Sequence, residues 1–179
     1  MGHSILIAGI GNIFQGDDAF GVTVAQRLLA SPVPGNVRVM DVGIRSIDLG
    51  FALLDKYDLI ILVDATCRGC EPGTLYTIEI GSADIPDICD EGSLVNSHAL
   101  DPVRVLSLAK SMGAHLARIV LIGCEPQIVD CDASGHIGLS DVVEAAVHTA
   151  VNTIRQLMQQ FQQASDPYFS KEEVLYESS

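Results

Sequence analysis

Positive charge is scarce in this 179-residue chain: 10 Lys and Arg stand against 23 Asp and Glu, a formal net charge of −13. A field of that sign repels phosphate backbones and anionic headgroups, so nucleic acid and membrane surfaces are not expected as partners. Long apolar runs are missing as well, since no stretch approaches the roughly 20 residues that span a bilayer. The opening Met1-Gly2-His3-Ser4 carries neither a basic leader nor a small-residue cleavage site, so a cytoplasmic protein is expected. Cysteine is limited to Cys67, Cys70, Cys89, Cys124 and Cys131, an odd set in a chain large enough to fold without staples, which points to reduced thiols. Charged residues make up only 18% of the chain against 48% hydrophobic, too much apolar surface seeking burial for a disordered or fibrous protein. The length suits one domain.

What is present is a rhythm. Short β-branched runs alternate with helix-length segments, and the runs end in Gly or an acid rather than in hairpin turns, which predicts an α/β fold. A three-layer sandwich is expected, with a central, largely parallel twisted sheet and helices on both faces. Strands are expected at 4–8, 37–40, 59–63 and 119–122. The alternating Thr74 to Ile80 segment (TLYTIEI) reads as an antiparallel or edge strand. Helices are expected over 19–30, over 47–54 with Ser46 as cap, from Pro102 to a stop at Gly113, and from Ser140 onward. In the last of these, Val143, Val147, Ala150, Ile154, Leu157 and Phe161 make an apolar stripe that should seal one sheet face. Residues 1–163 form the expected domain, and the polar 164–179 tail is expected to be poorly ordered.

In an open parallel sheet the loops leaving the carboxyl ends of the strands gather on one edge, where ligands bind. Asp17 and Asp18 follow the first expected strand, Asp41 ends the second, Asp64 ends the third and Glu125 follows the fifth. Five carboxylates at one rim repel one another unless a cation or hydrogen-bond donors compensate. A metal ion is the expected compensator. Asp18, Asp64 and His98, the last in the loop before the Asp101 helix, supply an O,O,N set with open positions that suits Zn²⁺, Ni²⁺ or Fe²⁺ better than Mg²⁺ or Ca²⁺. Asp17 is expected to serve as a cap or turn residue.

Two other motifs invite different chemistry. Gly9-Ile10-Gly11-Asn12-Ile13-Phe14 imitates a dinucleotide loop, but Phe14 stands at the third Gly position, and Asp17 and Asp18 would oppose a pyrophosphate. Gly9 and Gly11 then serve a tight turn, either purely structural or one that lets the loop approach a substrate strand closely. Cys67-Arg68-Gly69-Cys70 is a CxxC without a following helix or a second CxxC, so redox or zinc chemistry is weakly supported, although Cys124 and Cys131 could lie nearby. No G-x-S-x-G occurs.

Taken in order, Gly9-Ile-Gly-Asn-Ile-Phe-Gln-Gly-Asp-Asp-Ala-Phe-Gly21, Leu62-Val-Asp-Ala65 with Pro72-Gly-Thr74, Ser97-His98, Leu121-Ile-Gly-Cys-Glu-Pro126 and Gly138-Leu-Ser140 resemble the nickel-iron hydrogenase maturation endopeptidases. The resemblance implies an enzyme that removes a C-terminal extension from the hydrogenase large-subunit precursor after nickel insertion. It also implies metal recognition by an acid in the first loop, an Asp after the third strand and a loop His, which map onto Asp18, Asp64 and His98 as both metal-binding and catalytic residues. The nickel is expected to arrive on the precursor, with zinc or another divalent ion able to substitute, and the protein is expected to be monomeric. One departure is Asp41-Val42-Gly43-Ile44, where the family usually carries Asp-x-Gly-Thr, which puts substrate selection in question. Two rivals stand beside this reading: a non-catalytic nickel-binding maturation chaperone or sensor using the same residues, and a peptidyl-tRNA hydrolase, which has a similar Gly-x-Gly-Asn opening but whose polyanionic substrate the net charge disfavours.

Overall fold

The first β-branched run forms strand β1 (Ile5–Ile10), and each later run adds a strand: β2 (Val37–Gly43), β3 (Leu59–Ala65), β4 (Leu75–Ile80) and β5 (Ile119–Cys124). The structure, a computed structural model, describes residues 3–86, 102–127 and 137–164. The strands pair in the order β2-β1-β3-β5-β4. Every pairing is parallel except β4 with β5, which is antiparallel and places β4 at the edge. This is the mixed, largely parallel sheet that the run lengths and turn residues predict.

Period-two alternation then decides the layers. On one face Ile5, Ile7, Leu59, Ile61, Val63, Val120 and Ile122 pack with helices α1 (Phe20–Leu29) and α4 (Asp141–Ala164). On the other, Leu6, Ala8, Ile10, Ile60 and Leu62 meet α2 (Ser46–Ala52) and α3 (Pro102–Ser111). The central strands β1 and β3 are buried on both sides, which is why they read as unbroken apolar runs. The α4 stripe seals its face as expected, with Val143, Val147, Ala150 and Ile154 buried and Leu157 and Phe161 packed at the margin. Each buried aliphatic side chain of this kind contributes about 1.5–3 kcal/mol through burial.

Several boundaries differ from the periodicity. The first helix is preceded by a separate 3-10 turn, Gly16–Ala19, so Asp17 and Asp18 lie on a tighter coil than the α1 pattern suggests. Helix α2 starts at Ser46 itself, with Arg45 at the cap position and no side-chain capping bond. Parallel pairing carries β2 on to Gly43 and β3 on to Ala65, past the apolar runs, because backbone hydrogen bonds continue after the hydrophobic code ends. The 165–179 tail lies outside the described residues.

Candidate active site at the carboxyl edge of the sheet

The β1 exit is shaped by close backbone contact. A Cβ at Gly21 would overlap the carbonyl oxygens of Val63 and Ile10, and one at Gly9 would overlap the Gly21 carbonyl. Helix α1 therefore lies directly on β1 and β3 because these positions lack side chains. Gly11, at φ +134, carries the carbonyl of Asp18 against its own Cα. The close approach expected of this loop is to the protein's own backbone, the structural one of the two roles foreseen for its glycines.

The same turn holds Asp18. The Asn12 N–H donates to Asp18 Oδ2 at 2.6 Å, and the turn packs against β3, the strand whose carboxyl end carries Asp64. Asp64 stands opposite Gly123 in the β3–β5 register and is partly buried. Burial pushes the Asp18 carboxyl above its ordinary pKa, and the Asn12 hydrogen bond only partly offsets this. Two of the three expected ligands are thus carried by neighbouring elements at one edge. The third, His98, lies outside the described residues. Among the described residues no group of three or more His, Cys, Asp or Glu side chains is placed to hold a metal ion.

The other three rim acids are held by the protein itself. Asp17 is fully buried and does not cap its own turn. Its Oδ1 accepts from the Ser140 N–H at 2.6 Å, and its Oδ2 accepts from the Ser140 hydroxyl at 2.9 Å and the Gln127 N–H at 2.8 Å. It therefore clamps the start of α4 and the β5 exit to the turn that bears Asp18: of the cap or turn role expected of it, the position on a turn holds, and its carboxylate serves a distant contact instead of a cap. Asp41 accepts from Gln26 Nε2 at 2.9 Å.

Glu125 is the hub of the β3 exit. Its carboxylate accepts the backbone N–H groups of Arg68 and Gly69 at 2.9–3.1 Å and the Tyr76 hydroxyl. Its own backbone bonds Gly73 and Thr74 at 2.8 Å. The Tyr76 hydroxyl and these amides hold Glu125 below the usual carboxylate range, while burial and the same two neighbours, Cys70 and Glu125, push the Tyr76 phenol up. The expectation that a cation must compensate the rim holds neither for Glu125 nor for Asp17, where hydrogen-bond donors do so. Position after a strand revealed these acids, but their donors, up to 123 positions away in sequence, left no local signal.

The CxxC also resolves. Cys67 and Cys70 are exposed reduced thiols on the loop curled around Glu125, whereas Cys124 is buried in the core beneath. Burial and the charges of Asp17 and Glu125 push the Cys124 thiol up to about 12. Cys131 lies outside the described residues. At the β2 exit, Ile44 is 64% exposed in the position where the resembled family carries a hydroxyl.

Residues 22–157 match the hydrogenase maturation protease family model HycI. The chain belongs to the hydrogenase maturation protease family. It is 32% identical over 153 residues to the hydrogenase expression/formation protein HupD of Rhizobium leguminosarum bv. viciae, covering 84% of this chain and 74% of that one. Among solved structures, the hydrogenase maturating endopeptidase HybD from Escherichia coli superposes with a TM-score of 0.68 at 25% identity, covering 88% of this chain and 93% of the other. The [NiFe] hydrogenase maturation protease HycI from Thermococcus kodakarensis KOD1 gives 0.66 at 28% identity, over 88% and 94%. Family membership assigns the chain to proteolysis in hydrogenase maturation. No helix among the described residues is long and apolar enough to cross a membrane.

Proposed function

We propose that this protein is the endopeptidase that removes the C-terminal extension of a nickel-iron hydrogenase large-subunit precursor once nickel is in place, with Asp18, Asp64 and His98 reading the substrate-borne ion. The observation that carries this reading is the packing of the Asp18 turn against the strand whose carboxyl end carries Asp64. Burial works against the charge of Asp18, so a cation brought by the precursor restores the stability of its ionised form. A divalent ion held there would polarise the scissile carbonyl, acidify an attacking water or anchor the extension within reach of a carboxylate base. Asp18 and Asp64 contribute hard oxygen donors and His98 a borderline nitrogen, a set matched to nickel and also open to zinc. The enzyme acts as a cytoplasmic monomer that docks transiently on its large substrate.

The test is a processing assay with purified precursor, loaded with nickel or left without it, read as a shortened large subunit on a gel. Wild-type protein is expected to cut only the loaded precursor, and Asp18→Asn, Asp64→Asn and His98→Ala each to lose cleavage. Normal cleavage by any of these three variants refutes the ligand assignment. An intact large subunit after incubation with wild-type protein refutes the protease reading and favours a nickel-binding chaperone.

A further inference from the structure

The Cys67-Arg68-Gly69-Cys70 loop takes no part in the chemistry above, yet its two thiols are presented at a bend. The successive N–H groups of Arg68 and Gly69 converge on the one Glu125 carboxylate, and convergent amides of this kind curl the backbone into a concave nest. Gly69 completes the bend in the left-handed region at φ +82. Cys67 and Cys70, both exposed, lie at the two ends of that curl. Disulfide closure requires Cα atoms within about 4.4–6.8 Å, a separation that a four-residue bend reaches and an extended segment does not. A metal is the other use for paired thiols, but among the described residues no third donor completes such a group.

We propose that Cys67 and Cys70 form a reversible intramolecular disulfide by exchange with a low-molecular-weight disulfide, making the β3 exit a redox modification site. The thiolate of one cysteine attacks a sulfur of glutathione disulfide and expels one glutathione thiolate. The second cysteine attacks the resulting mixed disulfide, forms the Cys67–Cys70 S–S bond and expels the second glutathione. The two cysteine protons pass to the two departing thiolates, and the two electrons lost by the protein sulfurs reduce the glutathione disulfide. In the reduced state the Cys70 thiol is a near neighbour of the Tyr76 phenol and helps push it up, and the Arg68 guanidinium lies 5.3 Å from the Tyr76 ring centroid. Closure takes the Cys70 S–H out of this arrangement. Because Cys67 follows Asp64 by only three positions, closure also re-aims the segment leaving that residue. On the protease reading proposed above, the oxidised form therefore cleaves precursor more slowly.

The test equilibrates the full chain in glutathione/glutathione disulfide mixtures, quenches with acid, alkylates and maps peptides by mass. The expected result is loss of alkylation at Cys67 and Cys70 together, with a peptide two hydrogens lighter that joins them and is restored by dithiothreitol. Cys67→Ser and Cys70→Ser should each abolish the bridge and instead accumulate glutathione on the remaining cysteine. Glu125→Gln, which weakens the anion at the centre of the curl, should shift the equilibrium toward the dithiol by about tenfold. Retention of both alkylatable thiols across the whole series, or bridging of either to a different cysteine, overturns the proposal. Disulfide formation is read without any precursor, so its failure is distinguishable from failure of the protease reading. Equal cleavage rates for the oxidised and reduced forms would overturn the effect on processing alone.

Discussion

Replacing Asp17 with Ala removes the acceptor of three donors at once: the Gln127 N–H, the Ser140 N–H and the Ser140 hydroxyl. A hydrogen bond to a charged group contributes about 1.5–3 kcal/mol net, and a buried donor left without an acceptor costs about 1–3 kcal/mol. The three share one carboxylate, so their contributions do not add fully, and a loss of about 4 kcal/mol is expected for Asp17→Ala. That is a large part of a total stability of about 5–15 kcal/mol. Asp17→Asn keeps the shape and one carbonyl oxygen and should lose about 2 kcal/mol. Urea unfolding followed by far-UV circular dichroism measures both. With a slope of about 2 kcal/mol/M the midpoint should fall by about 2 M for Ala and about 1 M for Asn. A double-mutant cycle with Ser140→Ala should show coupling of about 1 kcal/mol or more. A loss below about 1 kcal/mol for Asp17→Ala would refute the clamp.

Asp18 should show a trade between stability and activity. Its folded pKa lies above the unfolded value of 3.8, so the folded chain holds a proton that the unfolded chain releases, and stability falls as pH rises through that window. Asp18→Asn should abolish this fall and melt at or above the wild-type temperature at neutral pH while processing is lost. A variant clearly less stable than wild type there would contradict the desolvation account. For the thiols, brief treatment of reduced native protein with iodoacetamide should modify Cys67 and Cys70 and spare Cys124 until the chain is unfolded, as read by peptide mass. Finally, Ile44→Thr, at an exposed position, should change stability by no more than about 0.5 kcal/mol and alter KM for precursor rather than kcat. A change confined to kcat would place Ile44 in the chemical step instead of in substrate selection.

The layers of the sheet were legible because the unbroken apolar runs Ile5 to Ile10 and Leu59 to Val63 are local records of burial, here on both faces. The antiparallel edge was legible for the same reason, since alternation in Thr74 to Ile80 marks a strand with one wet face. Strand ends also located the rim acids. Their division of labour was not legible, because it depends on which donors reach each carboxylate. Asp17 and Asp18 are adjacent in sequence, but one faces three donors and the other accepts from Asn12. Similarly, CxxC spelling identified a thiol pair without showing that a glutamate 55 positions after Cys70 shapes the backbone between its cysteines. Placement in the loop before the Asp101 helix offered His98 as the third ligand, and the family likeness pointed to the same residue.

The bond network of Asp17 reaches across 123 positions, from the first turn after β1 to the residue that precedes α4. On a translating ribosome the turn bearing Asp18 emerges early, but two of the three groups that immobilise its neighbour belong to Ser140 and emerge late. Synthesis order and fixation order are reversed at this point, and such distant closures are made late in folding. A nascent fragment therefore has the sheet's first strands before it has a rigid carboxyl edge, and the edge becomes rigid only when the terminal helix docks.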